Sequence, residues 1–383
     1  MKVLMTSMPG IGHVHPLVPL ALGLQRTGHD VAWATAPQLR ARIEGYGFRA
    51  LPSGSVGSVP GAVSASAADL RDVPPRERRA QFFGKRFGGA AVRVREDLAR
   101  LVDEFRPDLI VHDMAELAAA PIAASRGIPH VTVAFSGAVS DSLTEGIVAA
   151  VSEVWSAEGL TVPADAGLYE HLYLHRFPPA LGPAPDHANV RSVRPVGFDG
   201  ARAEEAPAWL AALGSDRPAV YVTLGTVVSG PAEWREILTA LASLDVDAIA
   251  TTGTQVDPAE IGPVPANVRV ERYVPQSFIL EHVTALVSHG GAGSMLAGAA
   301  RGLPQLCIPM GADMWENADA LAGSGASLTL EEDQRDSVAI SGAIERLLND
   351  ATFSTAARRV AAEIATLPHP DEYVPALEAL AHG

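Results

Sequence analysis

Two residues far apart in the chain are suited to share one proton-handling task. His13 lies in the loop Pro9-Gly10-Ile11-Gly12-His13-Val14-His15-Pro16, between an apolar strand-like run and a helical pattern. Asp113 closes the run Pro107-Asp108-Leu109-Ile110-Val111-His112-Asp113, a second buried strand by its composition. If both runs belong to one parallel sheet, both residues reach its carboxyl edge. A carboxylate beside one imidazole nitrogen fixes the tautomer and stabilises the imidazolium. The other nitrogen can then take a proton from a hydroxyl. The plainer reading of His13 alone is a surface or capping histidine, and a lone Gly-x-Gly is weak evidence. Pro16 stands where a dinucleotide fingerprint needs its third glycine. His13 and His15 lack a third ligand in view and make a poor metal site. His112 alternates away from Asp113 and is expected to be packed or solvated.

A different chemistry is written at Ser288-His289-Gly290-Gly291-Ala292-Gly293-Ser294, which follows a strand and opens an Ala-rich helix. Glycines allow close backbone approach. The free amides and the positive helix end would face a diphosphate, and His289 and Ser294 could add donors. A diphosphate held this way needs no metal, and no acidic metal-ligand cluster stands nearby in sequence. The plainer alternative is a Gly-rich packing turn. Three neighbouring runs weigh against it: Val222-Thr223-Leu224-Gly225-Thr226, Arg272-Tyr273-Val274-Pro275-Gln276, and Pro309-Met310-Gly311-Ala312-Asp313-Met314-Trp315-Glu316-Asn317. Each follows a predicted strand, so four strand ends are expected to converge on one pocket.

The elements that must position these residues alternate between strand and helix. Lys2 to Ser7 reads as a strand; Leu17, Leu20, Ala21 and Leu24 recur at helical spacing; Gly28 stops that helix; and Val31 to Thr35 is the next strand. Such a β-α-β unit implies a parallel sheet. Residues 51–68 look like a loop that could serve as a lid, 71–106 carry charges at helical spacing, Pro129 to Ala134 is a strand, and 140–180 look mainly helical. Trp155, Tyr169 and Tyr173, like Phe82, Phe83 and Phe87, are candidates to line a small-molecule pocket or for core. Val190 to Val196 is strand-like. A second alternation supplies strands at Ala219 to Leu224, Ala248 to Thr252, Val268 to Arg272, Ala285 to Ser288 and Gln305 to Ile308. With 383 residues, two domains are expected. The boundaries read as 1–198, a linker 199–218, 219–368, and a helix in 369–383 packing back on the first domain. The fold expected is α/β, two facing Rossmann-like doubly wound domains.

The balance of 29 basic and 44 acidic residues gives a formal charge of −15, which disfavours nucleic acid and anionic membrane as partners. Cys307 is the only cysteine, which excludes an internal disulfide and fits a cytoplasmic location. Neither a signal peptide nor a transmembrane run is expected. Oligomeric state is open, a homodimer included.

Taken together, the chain resembles the GT-B glycosyltransferases that decorate macrolides, aromatic polyketides and plant secondary metabolites, from its first loop to its last helix. The His289-Gly290-Gly291 block with the downstream Asp313-x-x-x-Asn317 carries the likeness. The resemblance implies that Tyr273 stacks on the donor base and the Val274 backbone pairs with its edge. Thr226, His289, Gly291, Gly293 and Ser294 would hold the diphosphate, with Gly12 and Gly290 in the same donor set. Asp313 would bind sugar hydroxyls, with Met314 beside it. His13 would be the general base and Asp113 its partner in an inverting displacement, with no cofactor beyond the nucleotide sugar, no metal, and a small-molecule aglycone as acceptor. Two departures bear on the donor. Ala297 stands where uridine-using relatives place a Glu that holds both ribose hydroxyls, and Met314 stands where a Gln would bind a sugar hydroxyl. An apolar side chain there would leave a hydroxyl unpaired at about 1–3 kcal/mol. Both changes point to a dTDP-deoxysugar; compensated drift is the alternative. A C-glycosyltransferase, a nucleotide-sugar epimerase and a non-catalytic nucleotide-binding relative are the competing functions.

Overall fold

The central apolar runs become short parallel strands buried on both faces, as in a helix-covered sheet. The computed structural model describes residues 1–54, 84–137, 140–200, 206–225, 231–253 and 256–383. Within these it divides into two units, Met1–Phe177 with Pro183–Phe198 and Leu367–Gly383, and Pro178–Gly182 with Asp199–Thr366.

In the first unit the strands are β1 (Lys2–Thr6), β2 (Asp30–Thr35), β3 (Arg49–Pro52), β4 (Leu109–Asp113), β5 (His130–Val133), β6 (Leu172–His175) and β7 (Val190–Ser192). They form one parallel sheet in the order β3-β2-β1-β4-β5-β6-β7. The chain builds outward from β1 in one direction and from β4 in the other. The β1/β4 junction is therefore a topological switch point, where a crevice opens at the carboxyl ends. One face carries Val3, Met5, Val31, Trp33, Leu109 and Val111 against the helix Val18–Arg26; the other carries Leu4, Ile110 and Met114 against the helices Gly89–Phe105 and Asp141–Ala157.

The C-terminal helix Val374–His382 belongs to this unit, and its Val374 and Leu377 are buried in the same cluster as Leu24. The turn before it approaches closely. A Cβ on Gly23 would meet Asp371 Oδ1 at 2.4 Å, so the absence of a side chain at residue 23 is what lets Arg26 and Asp371 pair at 2.5 Å.

The second unit repeats the plan with β8 (Ala219–Thr223), β9 (Asp247–Thr251), β10 (Val268–Glu271), β11 (Ala285–Ser288), β12 (Gln305–Cys307) and β13 (Ser327–Thr329). Their order is β10-β9-β8-β11-β12-β13, again all parallel, with the switch point between β8 and β11.

Three expectations change. Residues 140–180 are not mainly helical, because the helix ends at Ala157 and Leu172–His175 is the buried strand β6. The described part of 199–218 is not a free linker. Leu210 is 1% exposed and packs with Ala219, Tyr221 and Ile249, a burial worth roughly 1.5–3 kcal/mol that ties this stretch to the second unit. Pro178–Gly182 also joins that unit, where the Ala180 amide donates to Glu363 Oε1 at 2.6 Å. Most of loop 51–68, Phe82 and Phe83 lie outside the described residues.

Candidate active site

His13 stands on a one-turn helix, Ile11–Val14, that follows β1 after the short turn 7–10. Asp113 ends β4, the neighbour of β1 across the switch point. The two meet there, His13 Nδ1 lying 3.2 Å from Asp113 Oδ1. Asp113 is fully buried, and backbone amides hold it further. The Met8 amide donates to Oδ2 at 2.7 Å, the Ala115 amide donates to Oδ1 at 2.7 Å, and the Glu116 amide donates to its backbone oxygen at 3.0 Å. A carboxylate facing Nδ1 fixes the proton there, which leaves Nε2 of a neutral His13 with its lone pair. The ring is further fixed edge-on between Phe135, at a centroid distance of 4.5 Å, and Phe87, at 5.5 Å.

A second carboxyl lies beneath this pair. Glu116 is buried, receives the Thr6 hydroxyl at 3.1 Å and the Ala118 amide at 3.1 Å, and is pushed up to about 7 by burial, with the charge of Asp113 adding to the shift. Nothing in its residue type or spacing identified Glu116; its place three residues beyond Asp113, on the turn leaving β4, was the available signal. His112 is 1% exposed and pushed down to about 3 by burial first and by His130 second, so it is a neutral packed ring. His15 is engaged elsewhere, its Nε2 2.8 Å from the Tyr46 hydroxyl and its ring edge-on to Phe198. Trp155 and Tyr173 are core, at 3% and 0% exposure, whereas Tyr169 is half-buried and stacks on His187.

In the second unit the helix Ala292–Ala300 starts at the end of β11 with Gly291 as its N-cap. The first helical bond runs from the Met295 amide to the Gly291 oxygen, so the amides of Ala292, Gly293 and Ser294 precede it and Gly291 has no side chain to cap them. The glycines have separate reasons. Gly290 has φ +75°, the left-handed region. A Cβ on Gly291 would stand 2.3 Å from His289 Nε2, and one on Gly225, after β8, would stand 2.7 Å from the same ring. The His289 ring is thus clamped between two glycines. Burial pushes it down to about 4, so it offers a neutral donor rather than a cation. Gly293 and Gly12 differ, for a Cβ at either would meet nothing within 4 Å. Among the described residues, packing gives no reason for a glycine at either position.

Asp313 caps the helix Met314–Gly323 after β12. Asn317, 1% exposed, donates to Asp313 Oδ2 at 3.0 Å and to the Gly290 oxygen at 3.1 Å. The Asp-x-x-x-Asn spacing thereby ties the acidic residue to the glycine loop. Ala312, just before, sits at φ 53°, a left-handed conformation that costs a non-glycine residue energy. Met314 is 8% exposed, and its oxygen lies 3.0 Å from where a Gly290 Cβ would be.

The four strand ends are not one contiguous pocket edge. β8, β11 and β12 are neighbours, whereas Tyr273 follows β10, two strands from β8. Tyr273 is 55% exposed and its hydroxyl donates to the Asp199 oxygen; Val274 is buried in core. Thr226 and Ser294 fare differently: Ser294 lies half-buried in the first turn of its helix, and Thr226 lies outside the described residues.

Two family models cover most of the chain. The N-terminal domain model of the erythromycin biosynthesis protein CIII-like family matches residues 22–225, and its C-terminal domain model matches residues 235–380. The chain is 33% identical to the L-demethylnoviosyl transferase of Streptomyces niveus, over 97% of this chain and 96% of that one. It is 29% identical to the 10-deoxymethynolide desosaminyltransferase of Streptomyces venezuelae, over 100% and 97%. Among solved structures it is similar to the spinosyn rhamnosyltransferase SpnG complexed with thymidine diphosphate, with TM-score 0.84, 25% identity and coverage of 99% and 100%. It is also similar to the glycosyltransferase SnogD of Streptomyces nogalater, with TM-score 0.78, 29% identity and coverage of 100% and 99%. Two parallel, helix-flanked sheets of this kind define a GT-B glycosyltransferase. The chain belongs to the erythromycin biosynthesis protein CIII-like family, the glycosyltransferases of antibiotic and polyketide biosynthesis. No helix among the described residues is long and apolar enough to cross a membrane.

Proposed function

We propose that this chain transfers a deoxysugar, with inversion, from a dTDP-linked donor to a hydroxyl of a small-molecule natural product. The observation that carries the reading is the His13–Asp113 contact at 3.2 Å, with the carboxylate held by two further backbone amides. Nε2 of His13 accepts the proton of the acceptor hydroxyl as its oxygen attacks the anomeric carbon. The bond from that carbon to the diphosphate oxygen breaks, and dTDP leaves with the electron pair. Asp113 stabilises the imidazolium so formed. Leaving-group charge falls on the amides of Ala292, Gly293 and Ser294 and on the helix end, with Gly290, Gly291 and the neutral His289 shaping the loop. Gly12 and Thr226 complete the donor set, Tyr273 stacks on the base beside the Val274 backbone, and Asp313 with Met314 contacts the sugar. No metal and no further cofactor take part in transfer.

Thymidine is favoured over uridine by Ala297, and a deoxygenated sugar by the buried Met314. Thymidine diphosphate in the spinosyn rhamnosyltransferase and dTDP in the glycosyltransferase VinC support the same donor. Calorimetric titration with dTDP and, separately, UDP in buffer containing EDTA tests it. Tighter dTDP binding is expected; tighter UDP binding, or no binding of either, contradicts the donor assignment. Proton NMR of the glycoside formed from a dTDP-deoxysugar reads inversion or retention and distinguishes O- from C-attachment.

A further inference from the structure

At the amino edge of the first unit's sheet, away from the loops that follow its strands, three potential ligands converge. His130 opens β5, Glu170 and His171 immediately precede β6, and these two strands pair in parallel. His130 is 0% exposed, with Nε2 3.3 Å from Glu170 Oε2. The His171 ring stands edge-on to it at a centroid distance of 5.1 Å. One ligand atom of each of the three residues lies within 4.8 Å of the others.

The hydrogen-bond chain behind His130 fixes which way its lone pair points. His112 Nδ1 faces the Asp113 backbone oxygen at 3.0 Å and therefore carries the proton. Nε2 of that neutral ring is then an acceptor, and it faces His130 Nδ1 at 3.1 Å. Two facing lone pairs would repel, so His130 Nδ1 carries a proton and donates it. The lone pair on His130 Nε2 consequently points at the Glu170 carboxylate. A lone pair opposite a carboxylate at 3.3 Å requires a positive species between them, a proton or a metal ion. A proton between them makes an ion pair of His130 and Glu170 alone, whereas a metal ion would also take up the third group. His171 brings a ligand atom within 4.8 Å of theirs, and its Nδ1 is buried with no hydrogen-bond partner among the described residues.

From this geometry we propose that His130, Glu170 and His171 form a binding site for one divalent transition-metal ion of the zinc class, separate from the sugar-transfer site. Ligand bonds of about 2.0–2.2 Å at a tetrahedral angle set donor atoms roughly 3.3 Å apart, which the His130–Glu170 pair already meets. The His112 contact does for His130 what an outer-shell partner does for a metal-bound imidazole, fixing its tautomer and ring orientation. Two imidazoles with one carboxylate suit zinc-like ions rather than calcium or magnesium, which prefer all-oxygen sets. Glu170 and His171 line a cavity of about 670 Å³ with Arg191, Tyr373 and Leu380, which gives the ion an entry path and room for a fourth, exogenous ligand.

The test uses the untagged full chain, stripped with a chelator and returned to chelator-free buffer. Zinc chloride is titrated in calorimetrically, and cobalt chloride is followed by visible absorption. One Zn²⁺ per chain is expected, with cobalt bands of four-coordinate intensity. Glu170→Gln and His171→Ala, both at positions with solvent access, should each weaken binding by about tenfold or more while far-ultraviolet circular dichroism is unchanged. His187→Ala should leave the zinc Kd where it was. Absence of zinc binding, or binding that neither Glu170→Gln nor His171→Ala weakens, overturns the proposal. Because the readout is the metal alone, its failure would leave the glycosyl-transfer reading untouched.

Discussion

The two units place their chemistry at the same topological position and furnish it differently. In the first, the β1/β4 switch point holds side chains, a histidine locked onto a buried carboxylate that is itself held by amides. In the second, the β8/β11 switch point holds backbone, with amides at a helix start, glycines set by φ or by a clamped ring, and a histidine kept neutral. Proton transfer needs one atom with the right lone pair, whereas a diphosphate needs several donors and room. The first site should therefore fail through loss of a single functional group, and the second through loss of shape.

The largest effects belong to the first site, where Asp113→Asn removes the partner that selects the His13 tautomer. Turnover should fall by about 10²–10⁴, read as kcat, with dTDP affinity unchanged. A fall in affinity with kcat preserved would merge the two sites that the comparison separates. Next comes shape. Gly291→Ala sets a methyl against the His289 ring and should cost about 3 kcal/mol of dTDP binding, measured by calorimetry. Gly293→Ala meets no atom of the described residues within 4 Å, so a loss of dTDP affinity on this change is expected to report contact with the ligand. Tyr273→Ala should weaken dTDP by about 1–3 kcal/mol through lost stacking, and unchanged affinity would remove Tyr273 from the donor site.

The smallest effect concerns Glu116. Its folded pKa is raised to about 7, so the stabilisation from burying the neutral acid is complete below the pKa of an unfolded glutamate and is lost as pH rises through about 7. Glu116→Gln stays neutral throughout. Its melting temperature relative to the parent should therefore rise between pH 5 and pH 8, and a constant difference would mean that Glu116 is ionised across that range.

Much of this was legible in sequence because strand, glycine and helix follow one another in a fixed grammar. β1, β4, β8 and β11 are uniform apolar runs, and each ends at the residues singled out for chemistry. β6 was not legible. Leu172-Tyr173-Leu174-His175 is only four residues long, too short for periodicity to separate a strand from a buried helical turn. β3 and the three-residue β13 escaped for the same reason. At the candidate site, residue types singled out His13, Asp113 and the glycine loop, and the structure brings the first two to 3.2 Å. What they could not reveal depends on side-chain direction: Glu116 beneath Asp113, Asn317 bridging Asp313 to Gly290, and the two glycines that clamp His289.

The division of labour between the two switch points is tested most directly by His13→Ala, assayed for kcat with a dTDP-deoxysugar donor and titrated calorimetrically with dTDP. The account predicts turnover lower by about 10²–10⁴ with a dTDP Kd within about twofold of the parent. Turnover equal to the parent's would contradict the assignment of His13 as the base.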